Sequence, residues 1–506
     1  MTAWVATPAE LEIRLYQALI ELRADERGRR TSVVRQEVAL LVPGPRPRLA
    51  FARRWRRPAA TRGPSRRHMM PALAMTVALF VLVAARLVTP SLTNVVQTLV
   101  PQVATVAFVG SQAQPAAEDR AMRTMVLNGF REPLYFNSQE TAAQVISTIL
   151  AEQKSGVSTI DLLDLTDSDM ASLQAAGALQ DLTPLVDRLE ASRAFPKALL
   201  DAGRLGTDEQ YYIPWLQATY IMVIDKRALR YLPKGYDVNN LSYDQLIAWG
   251  QAIKDATGRA MIGLPAEPGT RGGLIHRFLQ GYLYPSYTGR TLTSFRSPEA
   301  VQMWQALRRL WAVTNPSSIS YKYMQDPLLS GDVWIAWDHQ ARLEAALRHP
   351  DRFQAIPAPS GPRGRGYMKT VVGLAIPKGA SNQAGAANLI DWLTRSGQQA
   401  EASASLSFFP AIHTSGLAAA QSAELSVDDR YRVRGTATRP PVGLGADTDE
   451  FTQVYQDAFT RIVLRSEDIR TVLDDDAGRL QRLLDAEGAH CWLPDPSSGQ
   501  AACQIT

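Results

Sequence analysis

Val371-Val372-Gly373-Leu374-Ala375-Ile376, followed by Pro377-Lys378-Gly379 and then by residues 382–394 with Ala386, Ala387, Ile390, Trp392 and Leu393, decides the reading of the fold. The first run is short, apolar and rich in β-branched residues, as a buried strand requires. The second places its apolar residues at helical spacing. Working outward, the same alternation recurs. Strands are expected over 105–109, 159–165, 220–225 and 333–337, and helices over 117–130, 141–154, 169–176, 242–257, 298–313, 340–347 and 451–464. Gly177 and Gly258 stand where helices end, and Ser242 stands where one begins. Strands alternating with helices argue an α/β fold. The stretch 104–484 is longer than the roughly 250–300 residues that one hydrophobic core serves, so two lobes are expected.

The N-terminal part has a different composition. Residues 1–68 carry fifteen arginines, no lysine and six acids, a formal +9, against +5 for the whole chain. The basic balance therefore belongs to a leader, and everything after it is net negative. Its 43–64 stretch, rich in Pro and Arg, reads as disordered. An apolar run from Met69 to Ala85 follows, within a segment 69–90 close to the shortest length that spans a bilayer. The arginines before it keep the leader cytoplasmic and put the large domain outside. Two readings stand side by side: a retained anchor, or the apolar part of a cleaved signal peptide with Val83 and Ala85 before the cut. The arginines serve topology and lipid headgroups, and no nucleic-acid partner is expected. Cys491 and Cys503 are the two cysteines of the chain, and in an exported domain a pair this close reads as a disulfide clamping the tail.

Four stretches carry a family resemblance. Asp164…Leu173…Gly177-Ala178-Leu179-Gln180-Asp181-Leu182-Thr183-Pro184-Leu185-Val186 is the first. Tyr211-Tyr212-Ile213-Pro214-Trp215, running into Ile221-Met222-Val223-Ile224-Asp225-Lys226, is the second. Leu241–Leu246 with Trp249 and Thr257 is the third, and the 373–399 region quoted above is the fourth. In this order they resemble the extracellular solute-binding proteins of ABC importers, carbohydrate-uptake type. The resemblance implies a two-lobed periplasmic-binding-protein fold with a ligand cleft between the lobes, here preceded by one transmembrane helix. It divides the chain into lobe 1 at 104–217 and 356–408, lobe 2 at 218–355 and 409–484, and a tail at 485–506. The chain departs from the family where Val333-Trp334-Ile335-Ala336-Trp337-Asp338 replaces a Gly-Pro-Trp pattern. It departs again where Phe108-Val109-Gly110-Ser111-Gln112 lacks a polar or aromatic residue just after the strand.

A sugar needs flat aromatic faces for its C–H surface and fixed partners for its hydroxyls. Asp164 and Asp167 lie at the carboxyl end of a strand, where open α/β sheets bind ligands; Asp167 and Asp169 also have the alternative of capping a helix. Trp215 and Gln217 fall at the first crossing between lobes. Tyr282, Tyr284 and Tyr287 form an aromatic loop, Trp337 and Asp338 end a strand, and Phe409 marks the last crossing. Trp337→Ala is expected to weaken binding without unfolding the domain. No nucleophile elbow, phosphate-cradling loop or zinc motif occurs, so no catalysis, cofactor or metal is expected. The expected function is an extracytoplasmic receptor that hands a carbohydrate, an oligosaccharide by preference, to an ABC permease. The alternatives are a membrane-anchored sensor signalling through the leader, or a receptor for a polyamine or a glycerol-phosphate.

Overall fold

A computed structural model describes residues 104–110, 116–269, 272–406, 408–411 and 435–506. The expectations for the leader 1–68, the 69–90 segment and Ser111-Gln112 lie outside these residues. Among the described residues no helix is long and apolar enough to cross a membrane.

Among the described residues, ten strands form one sheet that runs through both lobes. They are β1 (Val106–Gly110), β2 (Leu134–Asn137), β3 (Leu162–Thr166), β4 (Ile213–Asp225), β5 (Ile262–Gly263), β6 (Ile335–His339), β7 (Phe353–Ile356), β8 (Arg365–Ala375), β9 (Phe409–Pro410) and β10 (Gly435–Thr438). The main order is β2-β1-β3-β8-β4-β6-β5. Lobe 1 is built on parallel pairs around β1, with β3 antiparallel to β8. Lobe 2 is built on β4 paired with β6 and β7.

The central strands β1, β3, β4, β6 and β8 are buried on both faces, and their side chains alternate between two cores, as a period of two demands. In lobe 1, Val106, Phe108, Leu162, Val372 and Leu374 face one cluster, and Val109, Leu163, Leu165, Val371 and Ala375 face the other. In lobe 2, Tyr220, Met222, Ile224, Ile335 and Trp337 face one side, and Ile221, Val223 and Ala336 the other. Each Val, Leu, Ile, Phe or Met among them contributes about 1.5–3 kcal/mol on burial, so a slip of one residue would exchange the two cores and is strongly opposed.

β4 and β8 join the lobes. β4 pairs with β8 from Ile213 to Thr219, then takes β6 as its partner from Tyr220 to Ile224. β8 leaves β10 after Met368 and meets β4 at Lys369 and β3 from Val372 onward. The chain therefore returns to lobe 1 near Lys369, not at 356. Residues 353–356 still pair with β4 inside lobe 2, and Met368 sits in its core. β9 adds a third link against Leu216 and Gln217.

The tail 485–506 is bonded through Cys491 and Cys503, and it is held by more than that bond. Ala489, Trp492 and Ile505 enter the lobe 2 core. The buried Asp495 carboxylate accepts from the backbone N–H groups of Thr291, Leu292 and Thr293 at 2.8–3.3 Å, and from the Thr293 hydroxyl at 2.6 Å.

Candidate functional site between the lobes

The cleft face of lobe 1 begins where β3 ends. Asp164 is 2 % exposed, and its Oδ1 accepts from the indole N–H of Trp215 at 3.0 Å. Burial pushes its carboxyl up to about 7 against that hydrogen bond. An added Cβ on Gly110 would stand 3.1 Å from Asp164 Oδ2, so the small residue ending β1 makes room for this acid. Trp215 is itself 1 % exposed and packs in the lobe 1 core. The structure thus joins these two expected residues to each other.

Asp167 opens the helix Asp167–Ala175, whose N-cap is Thr166 with no side-chain capping bond. Its carboxylate pairs with Arg439, which follows β10, and its Oδ1 is buried without a partner among the described residues. Asp169, two residues on, accepts from the Thr166 hydroxyl at 2.5 Å. Burial raises it to about 6, and the charges of Arg277 (opposing) and Asp167 also act on it.

At the crossing strands, Gln217 donates from Nε2 to the Pro410 carbonyl at 2.9 Å, and its Oε1 is buried with no partner among the described residues. Phe409 pairs with it in the sheet. The aromatic expectations need correcting. Tyr282, Tyr284 and Tyr287 are not on a loop: they lie in one helical stretch, Leu279–Leu283 followed by Tyr284–Thr288, with Pro285 in a first turn where proline is tolerated. Tyr284 stacks on Phe295 and its hydroxyl bonds both Phe295 and Trp304. Tyr287 packs on Tyr243. Tyr282 donates to the Tyr220 carbonyl at 2.9 Å. Trp337 is fully buried, stacked on Tyr220 at 5.2 Å and edge-on to Tyr282. Rings of this size bury more favourably against one another than against solvent, and here they build the lobe 2 core.

The groups that face lobe 1 from lobe 2 come from elsewhere. His276 and Arg277 precede the wide helical turn Leu279–Leu283, a distortion often found at functional sites. Among the described residues, His276 Nδ1 and Arg277 Nη1 are buried with no hydrogen-bond partner, as is Arg342 Nη1. Arg342 lies over the Tyr323 ring, 4.9 Å from its centroid. Asp338 accepts from the N–H groups of Met324 at 2.9 Å and His339 at 2.7 Å, and burial, opposed by Arg342, pushes it up to about 7. Glu118, from lobe 1, is pushed up to about 8 by burial, with Arg342 opposing and Asp338 adding. Burial and the nearby cations Arg277 and Arg342 hold His276 neutral.

Acids of lobe 1 thus face guanidinium groups of lobe 2 across a buried interface with donors and acceptors left over. Such an arrangement can clasp a polar molecule; among the described residues no group of three or more His, Cys, Asp or Glu is set to hold a metal. Sequence reasoning missed Glu118, Arg277, Arg342 and Arg439. A signal existed for Arg277: a His-Arg pair inside Leu274-Ile275…Phe278-Leu279 puts charge in an otherwise apolar helix.

The sequence model described as "Bacterial extracellular solute-binding protein" matches residues 136–426, more than half of the chain. The chain belongs to the bacterial extracellular solute-binding proteins. No curated protein matches its sequence. Among solved structures, this solute-binding protein is similar to the GacH receptor of Streptomyces glaucescens, determined unliganded and with acarbose. The two share 15 % identity over 75 % of this chain and 98 % of that one, with a TM-score of 0.61. It is similar to maltose-bound MalE3 of T. maritima at 19 % identity, 75 % and 100 % coverage and TM-score 0.60. UgpB from Mycobacterium tuberculosis, in complex with glycerophosphocholine, gives 18 %, 76 % and 99 %, and 0.59. At these identities the likeness is one of fold: two lobes with a cleft between them.

Proposed function

We propose that this solute-binding protein captures a carbohydrate between its lobes and delivers it to the permease of an ABC importer. One observation supports the reading above the others: His276, Arg277, Arg342 and Gln217 keep buried polar atoms without partners among the described residues where the lobes meet. Leaving such an atom unmatched costs about 1–3 kcal/mol, which a ligand bearing both donors and acceptors would recover. Sugar hydroxyls are such groups. The similar GacH and MalE3 structures hold acarbose and maltose, which is in keeping with a sugar here. In this proposal the contacts come from Gln217, Asp338, Arg277 and Arg342, with Asp164 and Phe409 beneath them. Closure is a hinge motion on β4, β8 and β9, and the permease reads the closed shape. The 69–90 segment holds the large domain at the outer face of the membrane, and no covalent chemistry is part of the cycle.

A glycerol-phosphate is the second reading. Arg277 and Arg342 favour it, since guanidinium forks suit phosphate oxygens. A thermal-shift screen of the purified full-length protein against mono- and oligosaccharides, polyamines and phosphorylated polyols tests both. Ligand at a hundredfold its dissociation constant stabilises by about 2.7 kcal/mol. A raised melting temperature with sugars alone supports the first reading, and with phosphorylated polyols alone the second. No response to any member from a folded sample overturns both.

A further inference from the structure

Three polar contacts tie the lobes together without involving the partnerless atoms of His276, Arg277 and Arg342. Asp167 pairs with Arg439. Ser172, on the same lobe 1 helix, accepts at Oγ from the Gly445 N–H at 3.0 Å. Thr141, which caps the helix Ala142–Ser155, donates to Asp449 at 2.9 Å. All three lobe 2 partners lie within the eleven residues after β10. That segment is fixed from behind: the Arg439 N–H donates to the Leu493 carbonyl at 3.2 Å, in the tail closed by Cys491 and Cys503. The buried end of the ion pair belongs to lobe 1, with the Asp167 side chain 4 % exposed and that of Arg439 40 %. Removing the Arg439 charge therefore strands a buried carboxylate, whereas both groups are hydrated once the lobes part. Loss of the Arg439 charge therefore penalises the joined state and not the open one.

We infer that the segment from Arg439 to Asp449 is a latch that holds the lobes together before solute arrives, and that Asp167 is a positioning residue for closure, not a solute contact. The inference deepens the receptor reading and rests on it only for its purpose. A latch of this kind raises apparent affinity, because the binding-competent fraction of the protein divides the intrinsic dissociation constant.

The test needs no solute. Spin labels at Lys197→Cys in lobe 1 and Lys234→Cys in lobe 2 of the full-length protein report the distance between lobes by pulsed electron resonance. The solute-free protein is expected to show one dominant short distance. Asp167→Asn and Arg439→Gln are each expected to shift it to longer values, with about a tenfold fall in the ratio of joined to open molecules. Arg439→Gln alters a group at the surface, so it keeps the test valid if Asp167→Asn fails to fold. Solute-free protein that is already open, or an Arg439→Gln distribution matching the parent, overturns the latch. Because the readout is solute-free, absence of any ligand in the thermal screen would sink the receptor reading and leave this result standing.

Discussion

Trp337 shows how far a single residue can move between expectation and structure. It was expected on the cleft; it is buried in the lobe 2 core against Tyr220, Phe278 and Tyr282. Trp337→Ala is therefore expected to cost about 3–5 kcal/mol of stability, as large aromatic deletions from cores do, and to lower the urea midpoint. An unchanged midpoint with weakened binding would return it to the cleft. Arg277 is the opposite case. Its half-buried guanidinium has an Nη1 with no partner among the described residues, and a buried donor left unmatched is costly. Arg277→Ala is expected to leave the melting temperature unchanged or slightly raised, while weakening solute binding about ten- to a hundredfold, the worth of a charge-assisted hydrogen bond. Calorimetry against the solute found in the thermal screen measures it; equal affinities would remove Arg277 from the site.

At the scale of elements, the crossing strands impose tight steric limits. A Cβ on Gly366 in β8 would stand 2.6 Å from the Gly281 carbonyl oxygen and 2.7 Å from that of Tyr282. Gly366→Ala is expected to destabilise by about 1–3 kcal/mol, the range for overpacking, read as a lower urea midpoint with the same slope. For the tail, replacing both Cys491 and Cys503 by serine is expected to cost about 3 kcal/mol on the chain-entropy account without unfolding the protein. Asp495 and Trp492 continue to hold the segment; collapse of the double variant would mean that they do not. These elements also show what the sequence made legible. The helix Tyr243–Thr257 could be read because Ser242 and Gln245 form a capping box and Gly258 closes it in the left-handed region. The 213–219 half of β4 could not: it is buried throughout, so polarity does not alternate along it, and its register shifts after Pro214. The 282–288 helix was hidden by Gly281 and Pro285, which punctuate loops far more often than they begin helical turns. The cleft was half legible, because strand ends could be placed but the pairing of Asp167 with Arg439, far apart in sequence, could not.

For the whole molecule, the buried and half-buried acids set a pH dependence. Burial lifts Glu118 to about 8, Asp164 and Asp338 to about 7, and Asp169 and Asp476 to about 6. In the unfolded chain the same groups release their protons near 4. Between pH 6 and 8 the native state therefore binds more protons than the unfolded state, and stability falls as pH rises through that window. Buried His276 and His339, both lowered, act in the other direction below about 6.5. The carboxyls outnumber them, so the urea midpoint at pH 6 is expected to exceed that at pH 8. The reverse order would mean that Arg277 and Arg342 keep these acids ionised in the native state. The sheet that runs unbroken through both lobes has a consequence for variation. Because β4, β8 and β9 link the two halves, neither lobe is one continuous stretch of gene. Swapping a lobe with a relative would require several simultaneous recombination points, each cutting through a strand. Lineages of such a chain are bound to change what they carry by point substitution in the cleft, not by shuffling modules.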